Sequence, residues 1–353
     1  MIRKDLFELP FDQFQRYKTV HDFVDFVRPD TGRPLRVLDV GGYPGLILDF
    51  LPDDDVTVVD VLAGDIPNYV QASGAKLPFD DGAFDLVCSC DTLEHVAETE
   101  RPSFIAELSR VSNDFILLTA PFADERTHLA EEILFSYVWK VLRVEFTTLK
   151  EHLDNGLPDY DQTLVWLKDV GVAASGFHSG YLYNWLPMMV AKHHLMAHPD
   201  TADLHRRVDL FYNLNFSADD HRAPSYRRVV IGSKTGDKRP AAFCQSFKVA
   251  ADGATATDDG AKLEMFRMMT DLLDIDLKRD VSELVHQLKG SMTDELQAAQ
   301  VALAERDRQM EDLKNVIKAQ NESLDELHAL VARVRNFLPY KIFTKLNKTQ
   351  RPK

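Results

Sequence analysis

Apolar positions along the chain fall into three patterns. Phe11, Phe14, Tyr17, Val20, Phe23, Val24 and Val27 recur every three or four residues, which predicts a helical lead-in over residues 1–34, closed by Pro29, Gly32 and Pro34. From residue 35 the pattern changes to short apolar runs at 35–40, 56–61, 84–90 and 115–120, with a late one at 226–234. Periodic stretches such as 103–111 lie between them. Strands alternating with helices predict an α/β fold with a doubly wound, mostly parallel sheet over residues 35–236. Residues 126–215 are aromatic-rich and read as a helical substrate cap.

The third pattern begins after a stretch poor in large apolar groups, residues 237–262, which reads as a linker. A helical region at 263–338 follows. Within it Leu296, Ala299, Leu303, Arg306, Met310, Leu313, Ile317, Gln320, Leu324, Leu327, Val331, Val334 and Leu338 alternate spacings of three and four. A period of 3.5 predicts a coiled coil and a homo-oligomer through residues 296–338. The competing reading is a long helix folded back on the globular part. Arg306 and Gln320 inside the seam leave the strand number open.

Composition narrows the classes. Hydrophobic residues make up 45% and charged residues 27%, which is globular, and a formal charge of −15 argues against a nucleic-acid binder. Three cysteines cannot build a disulfide framework; Cys88 and Cys90 are read as small buried thiols on opposite faces of a strand. With no long apolar segment at the N-terminus or elsewhere, a cytoplasmic protein is expected. The basic, amphipathic tail at 339–353 breaks the acidic balance. With the preceding arginines, residues 333–353 read as a solvated end, a peripheral anchor on the inner face of a membrane, or a dock for an acidic partner.

Candidate chemistry sits at the ends of the apolar runs. The first ends in Asp39-Val40-Gly41-Gly42-Tyr43-Pro44-Gly45, a glycine turn that lets backbone approach a ligand. The second ends in Asp60, at the spacing where an acid takes ribose hydroxyls in a doubly wound fold. The third piece runs Ser73-Gly74-Ala75-Lys76-Leu77-Pro78-Phe79-Asp80-Asp81-Gly82-Ala83-Phe84-Asp85-Leu86-Val87 and continues to Leu93-Glu94-His95-Val96.

This ordered series resembles the LPF…FD…LEHV signature of class I S-adenosylmethionine-dependent methyltransferases of the type 11 kind. The resemblance implies a Rossmann-like sheet of seven strands, and S-adenosylmethionine as cofactor. It also implies roles. Asp39, Gly41, Gly42 and Gly45 would hold the methionine part. Asp60 would take the ribose, with Val61 beside the adenine and Ser73 and Gly74 at its edge. Cys90, Asp91 and His95 would lie near the cofactor. Two positions depart from the pattern: Tyr43 replaces a loop glycine, and Ser73 replaces an aspartate.

A methyl sulfonium is already activated, so the protein's task is alignment, and a hydroxyl acceptor also needs a base. His128, after the fifth strand, is the candidate base; His95, His152 and His178 are weaker ones. No zinc-ligand spacing is visible, so no metal is expected. A methyltransferase domain followed by a coiled coil and basic tail is also similar in layout to some bacterial surface-polysaccharide enzymes. The expected activity is methyl transfer to a hydroxyl of a sugar, an envelope glycan or a small metabolite. The alternative is a methyltransferase-fold scaffold that assembles partners through its coiled coil. A nicotinamide dehydrogenase would share only the glycine turn.

Overall fold

The computed structural model describes residues 3–28, 32–145, 147–197, 205–217, 220–247, 263, 270 and 294–337. Two compact units are present, residues 1–278 and 279–353. The predicted basic tail at 339–353 lies outside the described residues.

The first unit is built on seven strands: β1 (Arg36–Val40), β2 (Asp55–Asp60), β3 (Tyr69–Gln71), β4 (Phe84–Cys90), β5 (Ser112–Ala120), β6 (Ala173–Tyr181) and β7 (Ser225–Ser233). Their order is β3-β2-β1-β4-β5-β7-β6. The pairs from β3 to β5 are parallel, while β7 runs antiparallel to both β5 and β6. The sheet is therefore mixed, with β7 alone reversed. Ten α-helices lie among the described residues: α1 (Phe11–Val27), α2 (Ile47–Phe50), α3 (Arg101–Val111), α4 (Glu125–Ser136), α5 (Thr147–Asn155), α6 (Tyr160–Asp169), α7 (Leu182–Met196), α8 (His205–Asn215), α9 (Arg239–Ser246) and α10 (Asp294–Phe337).

Both faces of the sheet are covered, and the two-residue strand period sorts the core. Val37, Val58, Leu86, Cys88, Leu117 and Ile231 face α1, α2 and α9. Leu38, Val59, Val87, Ile116, Leu118 and Val230 face α3 and α6. Cys88 and Cys90 share one face, as residues two apart on a strand must. Assigning them to opposite faces misapplied that period.

Three further expectations change. The 126–215 region is not all helix, because β6 lies inside it and pairs with β7 at the sheet edge. The segment 237–262 is not all linker. Helix α9 starts with Pro240 in its first turn and buries Phe243 and Cys244 against the sheet. The rest of that segment, 248–262, lies outside the described residues. The compact unit also extends beyond residue 262, and Leu263 joins a third cluster with Leu134, Trp185 and Tyr212 from α4, α7 and α8.

In the second unit α10 spans 44 residues. Leu303, Met310, Leu313, Leu324, Leu327 and Val331 along it are exposed. Among the described residues no helix is long and apolar enough to cross a membrane.

Candidate active site

Strand order reverses beside β1, whose neighbours β2 and β4 are reached by crossovers in opposite directions. Such a switch leaves a crevice beyond the carboxyl ends of the strands. A cavity of about 750 Å³ opens there. Gly41, Tyr43, Asp60, Val61, Ser73, Gly74, Cys90, Asp91 and His95 line it.

The glycine turn is set by close packing. At Gly41, with φ +81°, a Cβ would lie 2.2 Å from Thr92 Oγ1. At Gly42 it would lie 2.1 Å from the Asp39 carboxylate. Gly42, Gly45 and Asp39 stand behind the wall rather than in it. Asp39 is fully buried; one carboxylate oxygen is 3.7 Å from Cys88 Sγ, and the other has no partner. Burial pushes its pKa up to about 7, against the pull of the Tyr17 hydroxyl and the Cys88 thiol. Tyr43 turns its ring edge-on to Tyr69 at 6.2 Å.

Asp60 accepts the Tyr43 amide at 3.2 Å and the Leu62 amide at 3.0 Å, one on each oxygen. A carboxylate offers about four lone-pair positions, so acceptor capacity remains on the cavity side. Beyond it Val61 and Leu62 are 64% and 56% exposed, an apolar edge suited to a flat ring. The Ser73 hydroxyl accepts the Ala75 amide at 3.3 Å. Gly74 lets Phe104 approach, since a Cβ there would meet its ring at 2.3 Å.

Asp91 follows β4 with φ +50°. Its carboxylate is held by Arg227 at 2.7 Å, Arg16 at 3.4 Å and the Thr119 hydroxyl at 2.9 Å. Burial alone would raise its pKa, but the two guanidiniums outweigh burial and hold it below the usual carboxylate range. Its neighbour Glu94 is buried with one oxygen unpartnered, and burial, then Asp91, push its pKa well up.

Over this side lie α1, contributing Gln13, Arg16 and Tyr17, and α5, contributing Thr148, Glu151 and Asn155. The His95 Nδ1 meets Glu151 at 2.9 Å, and the His152 Nδ1 meets Glu131 at 2.8 Å. The two Nε2 atoms are 3.4 Å apart. Burial, then His152, lower the pKa of His95.

His128 is exposed on α4 and does not line the large cavity; it lines a neighbouring one of about 400 Å³, together with His152. His178 lies on β6 in a third cavity, hydrogen-bonded to Ser225, with burial holding its pKa at about 4.

Residues 38–114 match a family model described as a methyltransferase domain. The chain is 37% identical over 93 residues to an uncharacterized methyltransferase of Mycolicibacterium gilvum, a match covering 22% of this chain and 36% of that protein. The chain thus spans about a third of the length of the curated relative it matches. Among solved structures, the YcgJ protein of Bacillus subtilis is similar at 16% identity and a TM-score of 0.37, over 61% of this chain and 98% of that one. The magnesium protoporphyrin IX methyltransferase of Synechocystis, with S-adenosylhomocysteine bound, is similar at 14% identity and a TM-score of 0.38, over 62% and 84%. The likeness to a methyltransferase domain thus lies in residues 38–114.

Sequence reasoning did not anticipate Arg16, Tyr17 or Glu151 at this cavity, nor Arg227 behind Asp91. One signal was present in α1, where Gln15 and Thr19 interrupt an otherwise apolar face and both are buried. Polar groups buried on a helix need partners: Thr19 bonds back to the Gln15 carbonyl, while the Gln15 side chain reaches Asp220 and Arg227.

Proposed function

We propose that the protein transfers a methyl group from S-adenosylmethionine to a hydroxyl of a sugar, an envelope glycan or a small metabolite. The observation that carries this reading is the 750 Å³ cavity at the strand switch, lined by most of the residues that the resemblance nominates. The residues fit the donor. Asp60 retains acceptor capacity for ribose hydroxyls, Val61 and Leu62 offer an apolar edge for the adenine, and Gly41 has no Cβ between backbone and cavity. The unpartnered oxygen of Asp39 sets an acceptor behind the turn, where a nearby cation favours the ionised form.

When bound, the donor supplies an electrophilic methyl that needs no further polarisation. The chain's own work is to align the acceptor and exclude water. The large cavity holds the donor, and the 400 Å³ cavity beside it takes the acceptor. His95 lines the first and His152 the second. A hydroxyl must shed its proton as it attacks. Two carboxylate-backed imidazoles at the boundary, with His128 on the acceptor side, are the groups placed to assist.

The test is donor turnover: full-length protein with methyl-labelled S-adenosylmethionine and a panel of hydroxylated sugars and metabolites. Acceptor-dependent release of S-adenosylhomocysteine supports the reading. Cofactor binding with no turnover on any acceptor favours the scaffold.

One observation supports an assembly role beside the enzymatic one. Leu303, Met310, Leu313, Leu324, Leu327 and Val331 of the predicted seam lie exposed on α10, as do Val316 and Leu330 beside it, leaving apolar surface for a partner helix. Homo-oligomers through residues 296–338 would give a molar mass that is a multiple of the chain's 40.1 kDa in light scattering, and a chain ending at residue 278 would be monomeric. Attachment of residues 333–353 to anionic lipid or an acidic partner is tested by fractionation with and without them.

A further inference from the structure

We propose that Glu94, His95 and His152 form a binding site for one divalent transition metal, with zinc the best fit. The three ligand atoms lie within 4.8 Å of one another. His95 and Glu94 come from the turn after β4, and His152 from α5, so the chain closes the site only when α5 packs over the crevice.

The tautomers carry the case. A carboxylate at neutral pH only accepts, so the Nδ1–H of His95 donates to Glu151 and the Nδ1–H of His152 donates to Glu131. Neutral rings held this way present lone pairs at both Nε2 atoms, and these face each other at 3.4 Å. Two lone pairs converging on one point need a cation between them. Two nitrogens each about 2.05 Å from one tetrahedral ion lie about 3.3 Å apart, close to the separation found. The third ligand is also waiting: Glu94 is buried, with an oxygen that has no hydrogen-bond partner.

The surroundings complete the pattern of a metal site. Imidazole ligands characteristically pass their other N–H to a carboxylate, which fixes the ring and raises its basicity. Both rings do so here, and Glu131 is itself held by the Tyr226 hydroxyl at 3.0 Å. Two histidines and one carboxylate leave a fourth position open, as in catalytic zinc sites. His95 faces the large cavity and His152 the smaller one, so the site stands at the boundary between them. A metal there would make an acceptor hydroxyl more acidic. That role rests on the methyl-transfer reading above, whereas the metal site itself does not.

The experiment uses full-length protein stripped with a chelator. Zinc is titrated in by calorimetry, and cobalt is added in parallel to read coordination from its visible spectrum. Wild type is expected to take up one ion per chain and to give the intense band of four-coordinate cobalt. His152→Gln and Glu94→Gln should each abolish that band, and Glu131→Gln should weaken zinc binding about 10- to 100-fold. Binding of S-adenosylhomocysteine is measured on the same samples. His152 does not line the donor cavity, so His152→Gln should retain that binding and thereby report an intact fold. No cobalt band in wild type, or an undiminished one in His152→Gln, overturns the proposal and leaves a shared proton between the rings in its place. Either outcome leaves the methyl-transfer reading standing. Loss of nucleoside binding alone would sink that reading and spare the metal.

Discussion

The two sides of the cavity are made of different material. The sheet side comes from one stretch of the chain, 40–75, and presents glycines, the acid Asp60 and the apolar Val61 and Leu62 to the cavity. The roof side is assembled from distant parts, with Arg16 on α1, His95 after β4 and Glu151 on α5, and Arg227 on β7 stands behind it against Asp91. Asp39, fully buried, and Asp91, half-buried, at the ends of adjacent strands show the consequence. Asp39, on the sheet side, has no cation paired with it, and burial raises its pKa to about 7. Asp91, on the roof side, is clamped by two guanidiniums and stays ionised. The difference teaches that burial without a paired cation raises a carboxyl's pKa, while the same carboxyl between two guanidiniums keeps its charge.

The sharpest way to break this comparison is Arg227→Met. Arg227 is 2% exposed, and its removal leaves Asp91 beside Arg16 alone. Breaking one partner of a buried pair costs about 3–5 kcal/mol, read from the urea midpoint. A loss below about 1 kcal/mol would mean that the clamp holds nothing together.

Next in size is a pH effect on the sheet side. The folded pKa of Asp39 is raised above its ordinary value, so the folded state binds that proton more tightly than the unfolded chain. Its contribution to stability is present at low pH and is lost as pH rises from about 4 to about 7. The full span is about 4 kcal/mol. Asp39→Asn cannot ionise, so it should melt above wild type at pH 8 and match it near pH 4. Asp220, also pushed to about 7 by burial, keeps a residual slope in the variant. Equal pH profiles for the two proteins would remove Asp39 as the source.

Asp60→Ala probes the same side through the ligand. Hydrogen bonds to a charged group are worth about 1.5 kcal/mol or more each, so losing two should weaken nucleoside binding about 100-fold. Thermal shift with S-adenosylhomocysteine reads this. The smallest effect is expected at His128, which is exposed and outside the large cavity. His128→Ala should lower turnover less than about tenfold, below the usual worth of a full general base. A larger loss would return the base to His128.

The contrast between the sides also explains what was legible in the sequence. Strands β1, β2, β4, β5 and β7 carry short runs of mostly apolar residues because both their faces are covered. The three-residue β3 is too short to leave a pattern. Strand β6, AASGFHSGY, is an edge strand with mixed burial and so reads as part of the cap. The linker expectation over 239–246 failed because Pro240, Ala241 and Ala242 look like loop composition, although they start α9.

The site divides the same way. The glycine turn and Asp60 follow from local rules of strand, turn and register. Glu94, His95 and His152 do not, because linear spacing cannot show that α5 returns His152 to within 3.4 Å of a histidine 57 residues earlier. The expectation of no metal rested on that spacing alone.

Calorimetric titration of the full-length protein with S-adenosylhomocysteine, at a pH where Asp39 is ionised, tests the central claim most directly. The account predicts saturable binding at one site per chain, weakened about 100-fold in Asp60→Ala. No binding by the folded wild-type protein would contradict it.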